Sequence, residues 1–280
     1  MIVEPAGRDE FLALMTETYG TTMPRGEFDW WFDRNPAGPR ILNVARDDDG
    51  TPLGVLAMSF ARFDNGLAAF AVHAVTTPAA RGRGVFSALE LHNEQQAAAA
   101  GATWALGFTN PSAGPILVGK LGWEDVASLR VWVRPKRLRR RPTGGLVASD
   151  RNVVARPRSL PGHHIVRDQS YLEWRYADSP RVYATAGDVV ITHALWHGFS
   201  SAVVCETGSA RELRWAVRSV KADVAVALVN PGEERTYLAA GFVPSPRTIR
   251  FIGKRLTGDA PPLPKDRSAW RLYLGDLDFF

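Results

Sequence analysis

The chain of 280 residues contains a single cysteine, Cys205. One thiol cannot build a disulfide framework or a thiolate metal cluster, which suits a reducing compartment. Long apolar runs are also missing: no stretch approaches the roughly 20 residues a membrane-spanning helix needs. The start, Met1-Ile2-Val3-Glu4-Pro5, has no basic leader followed by an apolar core. A cytoplasmic location without a membrane partner is expected. Charge of one sign is in modest excess, with 34 Lys and Arg against 29 Asp and Glu.

Several motifs are present only in part. Gly114, Gly119 and Lys120 have phosphate-loop spacing, but Leu121 stands where Ser or Thr would hold Mg²⁺. His193 and His197 lie four apart with no Glu following the first, on a segment that reads as strands. Ser200-Ser201 lacks the glycine-flanked elbow of a serine hydrolase. No metal is expected.

An apolar content of 45% is enough for a packed core, and the length favours two domains or one large one. The most informative segment runs from Val75 to Phe86, V-T-T-P-A-A-R-G-R-G-V-F. A β-branched run, Phe70 to Thr77, ends at Pro78, and Gly82 and Gly84 flank Arg83 before an apolar-periodic helix, Val85 to Ala100. Glycines let the backbone approach a ligand closely. The first amides of a helix offer unpaired donors and a positive dipole end, and Arg81 and Arg83 add positive charge. The segment is built to hold a pyrophosphate.

The flanks read as alternating elements. Downstream come a strand, Thr103 to Phe108, then Asn110-Pro111, a helix, Ser112 to Leu121, and Gly122-Trp123. Upstream are helices at Glu10 to Tyr19 and Gly26 to Arg34, and strands at Ile41 to Arg46 and Leu53 to Phe63. Asp49-Gly50 and Asn65-Gly66 are hairpin signals.

Most of 1–134 resembles the GNAT superfamily of acyl-CoA-dependent N-acyltransferases, and Val75 to Phe86 resembles its motif A. Gly82 and Gly84 fill the motif's glycine positions and Arg81 its basic one, while Ala79 stands where Gln or Arg is usual. The resemblance implies a mixed α/β fold of α+β type, a GNAT-like mixed sheet flanked by helices. It also implies acetyl-CoA or another acyl-CoA as co-substrate, held by Val75, Thr76, Thr77, Arg81, Gly82, Arg83, Gly84, Val85 and Phe86. Asn110 is expected to bond the pantetheine or the acceptor.

The order of landmarks repeats along the chain. Trp30 and Pro36 in F-D-W-W-F-D-R-N-P are echoed by Trp174 and Pro180 in L-E-W-R-Y-A-D-S-P, and Asn110-Pro111 with Gly122-Trp123 by Asn230-Pro231 with Gly241-Phe242. The second half has no Arg-Gly-x-Gly. Two tandem GNAT-like domains follow as the expectation: 1–134 binding acyl-CoA, a basic Pro/Gly linker at 135–162, and a degenerate second domain at 163–280. The run Arg134 to Gly145, R-P-K-R-L-R-R-R-P-T-G-G, has no aromatic residue to stack on bases, so nucleic acid is not the expected partner.

Acyl transfer to an amine needs a positioned thioester, a proton acceptor, and donors for the oxyanion and the departing thiolate. His73, on the strand leading to the loop, is the candidate base. The family's usual acid is a Tyr in the helix after Asn110; Val118 occupies that position, and the Tyr recurs only in the second half, as Tyr237. Trp30 is a candidate wall of the acceptor cleft. Asp276, which with Asp278 follows an expected strand, Trp270 to Leu274, is a candidate for binding a cationic acceptor. The expected function is N-acetyl transfer to a small-molecule amine by a monomer or homodimer. The alternatives are a non-catalytic CoA-binding scaffold and an aminoacyl or peptidyl transferase of related fold.

Overall fold

The computed structural model describes residues 1–21, 23–135, 145–146 and 156–277. The chain gathers into two compact units, each discontinuous in sequence: Met1–Val126 with Phe251–Pro264, and Ala127–Arg250 with Lys265–Phe280. Both are mixed α/β, as expected. Most of the basic run, residues 136–144, lies outside the described residues, as does Asp278.

Unit 1 opens with β1 (Ile2–Pro5), α1 (Arg8–Tyr19) and α2 (Arg25–Phe28). α2 winds on into a wider π-type turn, Asp29–Asp33. Then follow β2 (Ile41–Arg46), β3 (Pro52–Phe63), β4 (Gly66–Thr76), α3 (Val85–Ala99), β5 (Ala102–Thr109) and α4 (Gly114–Lys120), after which β6 (Glu124–Pro135) begins. The sheet order is β1-β2-β3-β4-β5, and residues 251–255 lie next to β5. β1 to β4 pair antiparallel, whereas β4 and β5 are parallel. A parallel pair needs a crossover, and α3 supplies it. α1 ends at Gly20, whose φ of +70° is the left-handed cap that glycine adopts without strain.

One core of this unit packs Val85, Leu89 and Ala97 of α3 against Leu56, Met58 and Ala69 of the sheet. Elsewhere Phe11, Phe28 and Phe32 cluster, with ring centroids 4.8–6.1 Å apart. No described helix is long and apolar enough to cross a membrane.

Unit 2 takes the rest of β6, then β7 (Gly145–Leu146), α5 (Gln169–Leu172), a second π-type turn at Glu173–Ala177, β8 (Tyr183–Ala186), β9 (Val189–Trp196), β10 (Phe199–Glu206), α6 (Ala210–Ser219), β11 (Val220–Lys221), β12 (Val224–Leu228), α7 (Glu234–Ala239) and β13 (Val243–Arg255), whose last residues count with unit 1. Its sheet order is β6-β12-β10-β9-β8, with β10 and β12 parallel. Leu213, Ala216 and Val217 form the buried face of α6, packing with Val189, Ile191 and Ala202.

This unit also buries charge. Arg167, with no exposed side-chain surface, donates to both oxygens of Asp276 at 2.6 and 2.8 Å and lies 3.4 Å from Glu206. Tyr171 donates to Asp276 at 3.1 Å, Tyr176 to Glu206 at 2.7 Å and Arg158 to Glu206 at 2.5 Å. Paired and hydrogen-bonded in this way, buried charges are tolerated.

One expected element is missing. The segment from Trp270 to Leu274 forms no strand; only Trp270 makes an isolated bridge, to His163. Side chains take over what a ladder would do: Asn230 Oδ1 accepts from the Leu272 amide at 3.0 Å, and Asp276 from the Tyr273 amide at 2.9 Å.

Candidate active site

The site of unit 1 is made by two parallel strands that separate. β4 and β5 pair from Leu67 with Ala102 as far as Phe70 with Leu106, and there the pairing stops. Beyond that point β4 continues to Thr76, paired as a strand with β3 and no longer with β5. Its pairing with β3 slips between Leu56, opposite Ala74, and Met58, opposite Ala71, so β4 carries one extra residue in a bulge at Val72 and His73. A bulge turns the strand and redirects its side chains.

The gap opens into a cleft of about 240 Å³, lined by Ala71 to Ala74 of β4, Gly107 to Thr109 of β5 and Asn110 after it. Met15 and Tyr19 of α1 line it too, as do Phe86 and Glu90 of α3 and Leu117 of α4. Trp123 and Ile252 complete the apolar wall.

At the end of β4, Pro78–Ala80 forms a single 3-10 turn, and the loop that follows exposes Arg81, Gly82, Arg83 and Gly84. Gly82 and Gly84 have φ of +78° and +81°, and a Cβ at either would meet nothing within 4 Å. Conformation, not crowding, calls for glycine here. No side chain caps the start of α3, so its first amides face outward as donors with the positive end of the helix dipole behind them. Arg83 donates to Asp47 at 2.8 Å.

Within the cleft the unusual group is Glu90. Residue and carboxyl are fully buried, and neither oxygen has a hydrogen-bond partner. Burial pushes its pKa up to about 8, the Glu94 carboxylate adding to the rise and Lys254 opposing it. Glu94 is itself engaged, accepting from Trp123 Nε1 at 2.7 Å and Lys254 Nζ at 2.5 Å. Next to these, Asn93 accepts from Asn43 at 2.7 Å and donates to the Leu56 carbonyl at 3.1 Å.

The residues expected from sequence fall into three groups. His73 lines the cleft from the bulge, its ring 6.1 and 6.3 Å from those of Phe32 and Phe11. Asn110 lines it as well, although its Oδ1 accepts from the Ser112 and Ala113 amides, both at 2.9 Å, and so shapes the turn into α4. Val75, Thr76 and Thr77 lead into the glycine loop, with Val75 buried and the Thr77 amide bonded to the Leu53 carbonyl at 3.0 Å. Val85 is buried under the helix start, and Phe86 faces the cleft.

Two acceptor-contact expectations are corrected. Trp30 is fully buried, packed edge-on to Trp31 at 5.3 Å, so its indole belongs to the core. Asp276 is buried and not available to a cationic ligand, since both its oxygens accept from Arg167. Glu90 went unnoticed in the sequence. The available signal was position: Glu90, Asn93 and Glu94 share the inward stripe of Val85, Leu89 and Ala97 on α3, where polar residues are not ordinarily found.

No family model matches the sequence, and no curated protein matches it. Solved structures do match. A GCN5-related N-acetyltransferase from Anabaena variabilis superposes with a TM-score of 0.60 at 13% identity, over 91% of this chain and 73% of that one. One from Kribbella flavida gives 0.60 at 14%, over 91% and 70%. A putative acetyltransferase from Pyrococcus horikoshii gives 0.56 at 13%, over 99% and 94%. The chain therefore has the GNAT fold. Identities this low establish the fold alone.

Proposed function

We propose that this chain is a GNAT-type N-acyltransferase that moves an acyl group, acetyl in the simplest case, from CoA to the amine of a small molecule. The observation that carries this reading is the parting of β4 from β5 beside a helix start left open by Gly84. The open edge of β4 offers backbone donors and acceptors to the amides of a pantetheine arm, much as a sheet edge accepts a strand. The amides at Val85 and Phe86, with Arg81 and Arg83, take the pyrophosphate. The cleft then holds the thioester, and the amine attacks its carbonyl directly. His73 takes the proton released from nitrogen.

The second half supports the tandem reading. Both halves have a π-type turn carrying a tryptophan, Trp30 and Trp174. Both have an Asn-Pro turn after a strand and before a short helix, at Asn110 and Asn230. α6, in the place corresponding to α3, is closed at its start: Ser209 accepts from the Glu212 amide at 3.3 Å and Glu212 from the Ser209 amide at 2.7 Å. A carboxylate already sits where a phosphate would bind. The two halves of the sequence are thus read as a duplication with one working site, in a cytoplasmic protein that is a monomer or homodimer.

The test is release of free CoA thiol from acetyl-CoA against a panel of amines, with wild type and His73→Ala. Turnover with at least one amine, sharply reduced by the substitution, supports the assignment. Bound acetyl-CoA with no turnover on any amine would favour a CoA-binding protein without activity.

A further inference from the structure

Attack by the amine frees a proton at nitrogen, while loss of CoA requires one at sulfur. The α4 side of the cleft presents Ala113 and Leu117, neither of which has a proton to give. Among the described residues, three titratable side chains line the cleft: Tyr19 from α1, His73 from β4 and Glu90 from α3. The Tyr19 hydroxyl, on a residue 54% exposed, already donates to the Ala74 carbonyl at 3.1 Å. His73 is assigned to the amine. Glu90 is left, a fully buried residue of the cleft lining with both oxygens unpartnered.

We propose that Glu90 is the acid that protonates the sulfur of the departing CoA, an assignment that rests on the transferase reading of this cleft. The amine nitrogen forms its bond to the thioester carbon, and the carbonyl pair moves to oxygen. As that pair returns, the carbon–sulfur bond breaks with its electrons on sulfur. Sulfur takes the carboxyl proton of Glu90, leaving a carboxylate. His73 takes the ammonium proton and passes it to solvent, and Glu90 recovers one from solvent, so the net transfer is one proton from nitrogen to sulfur.

The surroundings suit a group that is neutral at rest and charged only briefly. No hydrogen-bond donor holds Glu90 as a carboxylate. The Glu94 carboxylate on the same helix opposes a second negative charge, and Lys254 from β13, a cation that acts against this, is bonded to Glu94 at 2.5 Å. An acid held near 8 is close to an ordinary thiol, which titrates near 8.5, and proton transfer between matched groups is efficient.

The experiment measures kcat against pH with acetyl-CoA and the fastest amine of the panel, for wild type and Glu90→Gln, alongside calorimetric binding of acetyl-CoA to both. In wild type kcat should fall as pH rises through about 8, because the acid form is lost. Glu90→Gln should reduce kcat about 100-fold, remove that limb of the profile and leave acetyl-CoA binding unchanged. A merely structural role would not move the limb. Equal kcat with the same limb in the variant would overturn the assignment, as would a wild-type kcat that rises through this range, the behaviour of a base. Absence of acetyl-CoA binding by wild type would overturn the transferase reading itself. Infrared difference spectra of wild type give a check independent of how the variant folds: a protonated carboxyl band that persists at pH 7 and is absent from Glu90→Gln supports the proposal, and its absence from wild type overturns it.

Discussion

Arg83 donates to Asp47 at 2.8 Å, tying the glycine loop to the turn that follows β2. The bond from Arg83 is the chief reason the Asp47 carboxyl lies below its ordinary range. Both side chains are at the surface, so the pair is open to competition from a phosphate. Arg83→Ala is predicted to weaken acetyl-CoA binding about 10-fold at low salt. Asp47→Asn, which removes a negative charge beside the loop, should tighten it. Titrations at low and high ionic strength check both, since each difference should shrink as salt is added.

Gly54 in β3 is predicted to be intolerant of any side chain. A Cβ there would meet the Val75 carbonyl at 2.5 Å and Val85 Cγ1 at 3.0 Å, backbone on one side and the first residue of α3 on the other. Gly54→Ala should lower stability by about 1–3 kcal/mol, as overpacking does. Urea midpoints measure it, and loss of acetyl-CoA affinity should accompany the loss of stability because the same contact seats the helix start.

Asp276 and Arg167 make a further prediction, since removing either takes from the other its closest oppositely charged partner in a buried setting. Asp276→Ala should destabilise by about 3–5 kcal/mol. Replacing both with apolar residues of similar size should recover much of that loss. Chemical denaturation of the single and double variants tests this, and any loss of activity should follow the fraction unfolded.

Cys205 is buried in unit 2, and burial pushes its thiol up to about 12. The thiolate is the reactive form, so the folded protein should not react with a thiol reagent at pH 8. Labelling should rise only along the unfolding transition, which makes Cys205 a reporter of global opening. Rapid labelling of folded protein would show that unit 2 opens locally.

Much of unit 1 was legible in the sequence because its signals are local. The β-branched run, the glycine pair and the periodicity of α3 lie within a few residues of one another, and β2 starts and stops at Ile41 and Arg46 as its alternation suggests. What decides the chemistry is less local. The bulge at Val72 and His73 depends on the register between two strands, which no residue pattern in β4 alone reveals. Glu90 looked like an ordinary helix residue until its face was known. Arg167 and Asp276 stand 109 positions apart, and the backbone near Asp276 bonds to side chains instead of a neighbouring strand, so a strand-like run of residues misled.

The most direct measurement is isothermal titration of acetyl-CoA into wild type and into Gly84→Trp, a substitution at φ +81° where an L side chain is strained and would cover the helix start. Micromolar binding by wild type, abolished in a variant that remains folded, is the predicted result. Absence of binding by wild type, with longer acyl-CoAs as well, or equal binding by the variant, would contradict the placement of acyl-CoA on this loop.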